Sequence, residues 1–182
     1  MLERYTKLAS SEQINQLVDQ LAQEIIRDYP DKPPLFIALL RGAGPFASRL
    51  MFALTKVKQD YHPELEYMIV STYGENHTAK QPVIVTDVAP NTKIEGRQVI
   101  ILDDVIDQGI TSDFIKKVIE DRGAADVKLA VFATKTVPER QSEADYYCFD
   151  AGDSWLVGFG LDDAGLTHEG YRWIDELWEI KR

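Results

Sequence analysis

Val99-Ile100-Ile101-Leu102-Asp103-Asp104-Val105-Ile106-Asp107-Gln108-Gly109-Ile110-Thr111 is the stretch that decides the fold. An unbroken apolar run ends in two adjacent carboxylates. Two apolar residues later come a third Asp, then a Gly and a Thr, and after them an amphipathic pattern. A buried parallel strand reads as such a run, and open α/β sheets bind ligands at the carboxyl ends of their strands. Gly109 allows a tight turn, and a helix starting near Thr111 offers unpaired amides and a positive dipole end to an anion. Carboxylates beside an anion hole would repel a bare phosphate. Their presence makes sense where they serve sugar hydroxyls and Mg²⁺, which prefers carboxylates together with phosphate oxygens. A ribose with a phosphate at one end and a metal-bound pyrophosphate at the other fits both halves. Helix capping alone does not account for the set, because one cap needs one Asp and not three.

Strands and helices alternate on both sides of this stretch. Ser10 and Gln13 form a capping box, and Ile14, Leu17, Val18, Leu21 and Ile25 fall on one helical face, ended by Tyr29-Pro30 and Pro33-Pro34. Leu35–Leu40 is an unbroken apolar strand, and Arg41-Gly42-Ala43-Gly44-Pro45 turns tightly into a helix with Phe46, Leu50 and Leu54 inside. That turn is a second anion-binding geometry. Tyr67–Tyr73 reads as the next strand. From Gly74 to Thr92 the chain is polar and carries Pro82 and Pro90, which predicts a mobile lid, with Val83-Ile84-Val85 pairing briefly as a hairpin arm. The motif strand Gln98–Asp103 and a helix over Thr111–Asp121 follow, the helix closing at Arg122-Gly123. Val127–Ala133, Tyr146–Phe149 and Trp155–Phe159 complete the expected core strands. The alternation predicts an α/β fold, a Rossmann-like parallel sheet flanked by helices, in a single domain over 1–182.

Composition narrows the function classes. The chain has 182 residues, 45% of them hydrophobic and 27% charged, as in ordinary globular proteins. A net charge of −10 without a long basic run excludes a broad nucleic-acid surface. The single cysteine, Cys148, has no internal disulfide partner, so a reducing cytoplasm is expected. Its apolar neighbours make it a packing thiol and not a nucleophile. Met1-Leu2-Glu3-Arg4 opens no long apolar region, so neither a signal peptide nor a membrane span is expected.

The central stretch resembles the phosphoribosyl-pyrophosphate (PRPP) motif of the type I phosphoribosyltransferases: four apolar residues, two acidic, two apolar, then Asp-Thr-Gly-x-Thr. Asp103, Asp104, Asp107, Gly109 and Thr111 match, and Gln108 replaces the usual Thr while keeping its backbone N–H. The resemblance implies that Asp107, Gln108, Gly109, Ile110 and Thr111 hold the 5-phosphate. It implies that Asp103 and Asp104 hold the ribose hydroxyls directly or through Mg²⁺, and that Asp107 is the general base at the purine imidazole. In this family the loop at Arg41 and Gly42 contacts pyrophosphate, and in purine-using members the bond joining those two residues is often a cis peptide. Thr72-Tyr73 is similar to the dipeptide at the base of the mobile catalytic loop in hypoxanthine-guanine phosphoribosyltransferases. Such a lid would keep water from an electron-poor sugar carbon.

Asp153 to Asp162 resembles the purine-binding segment of that subfamily. Carried over residue by residue, Trp155 stacks on the base, Leu156 meets it through its backbone, and Asp162 is a third carboxylate on the metal side. Lys135 matches the lysine that donates to the exocyclic oxygen of a 6-oxopurine, and Arg172 the arginine that touches pyrophosphate. Two departures stand out: Asp163 sits where an aromatic is common, and the loop from Ala164 to Gly170 is longer than usual. The resemblance further implies a small hood from 150–182 and part of the N-terminus, and a homodimer or homotetramer.

The reading is a Mg²⁺-dependent transfer of ribose 5-phosphate from PRPP to hypoxanthine or guanine. Transfer to xanthine or a pyrimidine, and a non-catalytic sensor of PRPP or nucleotide, stay open, although a sensor has no need of a proton shuttle. A receiver-type signalling domain is disfavoured, because its acidic pair belongs near the start of the domain and here nearly a hundred residues precede the motif strand.

Overall fold

The structure, a computed structural model, describes residues 4–73, 79–138, 140–163, 165–167 and 169–181. Its centre is a six-stranded sheet in the order β4-β3-β2-β5-β6-β7. The strands are β2 (Leu35–Leu40), β3 (Glu64–Tyr73), β4 (Ala79–Thr86), β5 (Gln98–Ile106), β6 (Asp126–Thr134) and β7 (Tyr146–Asp150). All neighbours are parallel except β3 and β4.

Side chains alternate across a strand, and here the alternation sorts two cores. Phe36, Ala38, Ile100, Leu102, Ala130 and Phe132 face α1 (Ser11–Asp28) and α2 (Gly44–Val57). Leu35, Ile37, Leu39, Val99, Ile101, Leu129 and Val131 face α3 (Ile110–Asp121). A sheet covered on both faces needs apolar residues at every position, which is why β2 and β5 read as unbroken runs. The capping box at α1 forms as expected: Gln13 N donates to Ser10 Oγ at 3.3 Å and Ser10 N to Gln13 Oε1 at 2.9 Å. No helix among the described residues is long and apolar enough to cross a membrane.

A second, three-stranded sheet has the order β1-β9-β8, from β1 (Tyr5–Ala9), β8 (Leu156–Val157) and β9 (Leu177–Ile180). It corrects the expectation that Trp155–Phe159 is the last core strand. Only two of those residues are strand, and they pair antiparallel with the C-terminal β9. Positive φ at Gly158, Phe159 and Gly160 bends the chain away from the strand conformation immediately afterwards. Of the expected lid, residues 79–86 form β4 and 74–78 lie outside the described residues. The expected hairpin arm at Val83-Ile84-Val85 forms within β4, antiparallel to β3; the strand's full length was hidden because an edge strand buries only one side, Ile84 packing inward while Val83 and Val85 are exposed. The motif strand also runs on to Ile106, so Asp103 and Asp104 belong to its last turns of pleat and not to the loop beyond.

Tyr5 and Asp163 tie the small sheet to the segment that follows it. Asp163 is buried, and its carboxylate accepts from Tyr5 Oη at 2.6 Å and from Gly165 N at 3.0 Å. This is where the departure from an aromatic residue goes: Asp163 organises the 163–170 loop, its backbone N donating to Gly170 O and its O accepting from Leu166 N. Burial, then the Asp163 hydrogen bond, pushes the Tyr5 hydroxyl up to about 12. Tyr5→Phe should cost about 1–3 kcal/mol, since it leaves a buried carboxylate short of a donor. A phenol whose folded pKa exceeds its unfolded value of about 10 contributes stability that is whole below that value and lost as pH rises through the folded one. Wild type should therefore lose stability between pH 10 and about 12 more steeply than Tyr5→Phe. Urea unfolding across that range checks it, and parallel curves for the two proteins would contradict it.

Candidate active site

Four segments converge at the carboxyl edge of the sheet: the loop after β2, the β5–α3 turn, the residues after β6 and the chain from Trp155 to Arg172. Gly42 shows how closely they meet. A Cβ placed there would lie 1.7 Å from Asp104 Oδ2, and one placed on Gly160 would lie 2.0 Å from Gly42 O. At Gly160 the neighbour is backbone and φ is positive, so glycine is required there; at Gly42 any side chain would have to displace the Asp104 carboxylate. The cis peptide in this loop is Leu40–Arg41, which corrects the expected Arg41–Gly42 bond by one residue: the cis geometry falls where β2 ends and not inside the turn.

At the β5–α3 turn, Gly109 has φ +80° and serves as the N-cap of α3, with no side chain capping the helix. The first amides of α3 are therefore open to an anion. The helix starts at Ile110, one residue earlier than expected. Sequence reasoning missed what holds this turn. Gln141 N donates to Gln108 O at 2.9 Å, and Ser142 N would lie 2.8 Å from a Cβ on Gly109. The 140–145 segment is a brace behind the phosphate loop. Within it Arg140 bonds Thr134 Oγ1 at 2.9 Å and Glu143 at 2.8 Å. Its only sequence signal was a basic residue in a polar stretch.

Asp103 and Asp104 stand side by side at the strand end, each accepting a backbone N–H: Asp104 N to Asp103 Oδ1 at 2.9 Å and Val105 N to Asp104 Oδ1 at 2.7 Å. Burial, and then the charge of Asp104, pushes the Asp103 carboxyl well up from its usual range; burial also raises Asp104. A pair that resists double ionisation is one that a cation would relieve. Asp162 does not join it: its carboxylate accepts from Arg172 at 2.8 Å, and no three-residue acidic or histidine cluster that could hold a metal occurs among the described residues. Among the described residues the site thus offers two adjacent carboxylates and no closed cage. That suits Mg²⁺, which keeps much of its shell for water and phosphate oxygens.

On the opposite side, Lys135 Nζ lies 4.7 Å from the centre of the Trp155 ring and 3.7 Å from Asp107 Oδ2. Trp155 is 50% exposed, so it is a surface platform and not core. Leu156 is buried, which leaves only its backbone to meet a ligand. Trp155 O accepts from Ile180 N at 2.9 Å, and Ser154 Oγ donates to Glu179 at 2.7 Å, so the C-terminal strand holds the platform. Thr72 and Tyr73 end β3, where Tyr73 pairs with Ala79.

Arg41 and Arg172 share a partner that the sequence reading did not single out. Glu169 accepts from Arg41 with one carboxylate oxygen and from Arg172 Nε at 2.8 Å with the other. Arg172 also donates to Gly160 O. The signal was present, an acid three residues before Arg172, but a loop gives no periodicity by which to place it. Cys148 is no nucleophile, since burial pushes its thiol well up.

Comparison with known proteins agrees with this geometry. The phosphoribosyl transferase domain model matches residues 4–164. Hypoxanthine-guanine phosphoribosyltransferase of Streptococcus thermophilus is 39% identical over 168 residues, covering 89% of this chain and 88% of the relative. That of Streptococcus agalactiae is 37% identical over 187 residues, covering 100% and 97%. The crystal structure of a hypoxanthine phosphoribosyltransferase from Staphylococcus aureus superposes with a TM-score of 0.83 at 26% identity, over 97% of this chain and 91% of that one. With the anion turn, the paired carboxylates and the matched length all in agreement, this chain belongs to the phosphoribosyl transferase domain family.

Proposed function

We propose that this protein is a purine-salvage phosphoribosyltransferase that moves ribose 5-phosphate from PRPP to a 6-oxopurine, hypoxanthine or guanine, giving IMP or GMP and pyrophosphate. One observation carries the reading. The ammonium of Lys135, the half-exposed ring of Trp155 and the carboxylate of Asp107 meet beside the open N-terminus of α3. A flat apolar face, a donor and a base next to a phosphate cradle are the parts needed to seat a purine against a phosphorylated ribose.

The chain's residues divide the work. Amides from Gln108 to Thr111 and the Thr111 hydroxyl bind the 5-phosphate, and Asp103 and Asp104 orient the ribose hydroxyls. Trp155 stacks on the base, the Leu156 backbone meets its edge and Lys135 donates to the 6-oxo oxygen. Asp107 takes the proton from the imidazole nitrogen as that nitrogen bonds to C1′. The C1′–O bond breaks with its electron pair going to pyrophosphate. Arg41, Gly42 and Arg172 line the leaving-group side, and Asp162 stays near it through Arg172. Asp103 and Asp104 would hold Mg²⁺, which would supply charge neutralisation for the departing pyrophosphate. Thr72 and Tyr73, at the end of β3, are assigned to the base of the catalytic loop, whose next residues, 74–78, lie outside the described residues. We assign the enzyme to the cytoplasm and to a homo-oligomer. Exposed Phe52, Tyr67 and Trp173 flank a groove of about 650 Å³, whose inner end reaches Leu40, Gly44 and Arg172 at the carboxyl edge, and suit a second copy.

Three measurements test this. Asp107→Asn should lower turnover by roughly 10²-fold with PRPP affinity little changed, as for loss of a general base; wild-type turnover would remove that role. Asp103→Asn separates metal binding from fold. A carboxyl whose folded pKa is raised gives stability that is present below its unfolded value and lost as pH rises through the folded one. The variant without metal should therefore melt ~2–5 °C above wild type at neutral pH. It should also lose most of the Tm increase that Mg²⁺ with pyrophosphate gives wild type. An unchanged ligand-induced shift would return Asp103 to a structural role.

The third measurement is base choice. A site whose partly buried lysine donates to an oxygen rejects an amino group at that place, so hypoxanthine should be used in strong preference to adenine. Lys135→Ala should narrow the ratio of the two kcat/KM values by about tenfold or more. A Lys135→Ala variant with the wild-type ratio would move the purine site elsewhere.

A further inference from the structure

Glu169 occupies a position that the proposed reaction gives to something else. Its carboxylate spans Arg41, from the loop after β2, and Arg172, from the turn before β9, giving one oxygen to each guanidinium. Two arginines converging on a pair of anionic oxygens is how a phosphate group is gripped. The backbone fixes this arrangement. Arg172 N donates to Glu169 O at 3.2 Å, Arg172 is further held by Gly160 O and Asp162, and the 163–170 loop is knotted at buried Asp163. The carboxylate itself is on the surface, with about a third of the side chain exposed, so it can rotate out into water without disturbing a core.

We propose that Glu169 is a built-in competitor for pyrophosphate, resting on the assignment of Arg41 and Arg172 to the leaving group in the reaction above. With the site free, its carboxylate keeps the two guanidiniums neutralised and pointed at one another's ligand. When pyrophosphate is in place, the carboxylate is displaced and its charge, still nearby, opposes the product. The arrangement lowers affinity for pyrophosphate and favours its release. It also gives the long 163–170 loop a purpose: the loop carries an anion to arginines that two other segments contribute. The Arg41 contact adds ionic character to Glu169, whose carboxyl lies below the usual range for that reason.

The opposite role, a brace that holds the arginines ready, would give the opposite sign. Isothermal titration of inorganic pyrophosphate with Mg²⁺ into wild type and Glu169→Gln, alongside the KM for PRPP, decides between them. Glu169→Gln should bind pyrophosphate about three- to tenfold tighter and show a lower KM for PRPP, a modest change because the contact is exposed and solvent-screened. Glu169→Ala, which cannot hydrogen-bond at all, should move the same way. In an Arg41→Ala background most of the gain should disappear, since the two residues act through one contact. Unchanged or weaker binding in Glu169→Gln overturns the competitor role, as does a gain that persists undiminished without Arg41. Wild type that binds neither pyrophosphate nor PRPP overturns the assignment of the site together with it.

Discussion

The approach of Gly42 to Asp104 on one side and to Gly160 on the other is the constraint on which the site depends. A Cβ at Gly160 would land 2.0 Å from a backbone oxygen, and one at Gly42 would land 1.7 Å from the Asp104 carboxylate and have to displace it. Backbone from the β2–α2 loop, a carboxylate from the end of β5 and backbone from the 158–162 segment are thereby brought into one small volume. The two parallel strands set the first distance, since β2 and β5 are adjacent in the sheet. The small sheet sets the second, by delivering Gly160 from β8. A larger residue at 42 would push the anion loop off the carboxylate pair and break the alignment of both halves at once.

That crowding raises an electrostatic problem which the structure solves with opposite charges in alternation. Asp103 and Asp104 resist joint ionisation, and beyond them Asp162, Arg172, Glu169 and Arg41 follow in a chain of contacts. Beside Trp155, Lys135 balances Asp107. Because the pairs lie near the surface they add little to stability individually. Their effect is geometric: each charged side chain is held at a defined place by its opposite.

How far the sequence could be read follows from what leaves a local pattern. β2, β5 and β6 were legible because burial on both faces demands unbroken apolar runs, and α1 because its capping box and helical stripe are both local. The cluster Asp103, Asp104, Asp107, Gly109 and Thr111 was legible because the turn that builds it is contiguous. β1 and β9 were not: each is short, β1 keeps two of its five residues exposed, and they find one another across nearly the whole chain, Tyr5 opposite Ile180. The acidic, tryptophan-bearing tail carried no readable function for the same reason, although Trp178 turns out to be buried beside Tyr5 and Val157. Glu169 and Arg140 could not be singled out, since loop residues reach their partners through tertiary folding that no spacing encodes.

The pairing of the two chain ends has a consequence for the chemistry. β9 lies between β1 and β8, and through Ile180 N and Glu179 it fixes the backbone and the serine beside Trp155. Asp175, just before β9, accepts from Ser11 at the start of α1 and from Arg49 in α2. The Trp155 ring is therefore anchored to the helices of the large sheet by the tail, and not by the short strand that carries it. A two-residue strand such as β8 has too little hydrogen bonding and burial to hold a half-exposed tryptophan in register by itself. Placing that strand at an edge, next to a terminus that closes over it, lets a large flat side chain remain at the surface and still keep a fixed distance to Lys135 and Asp107.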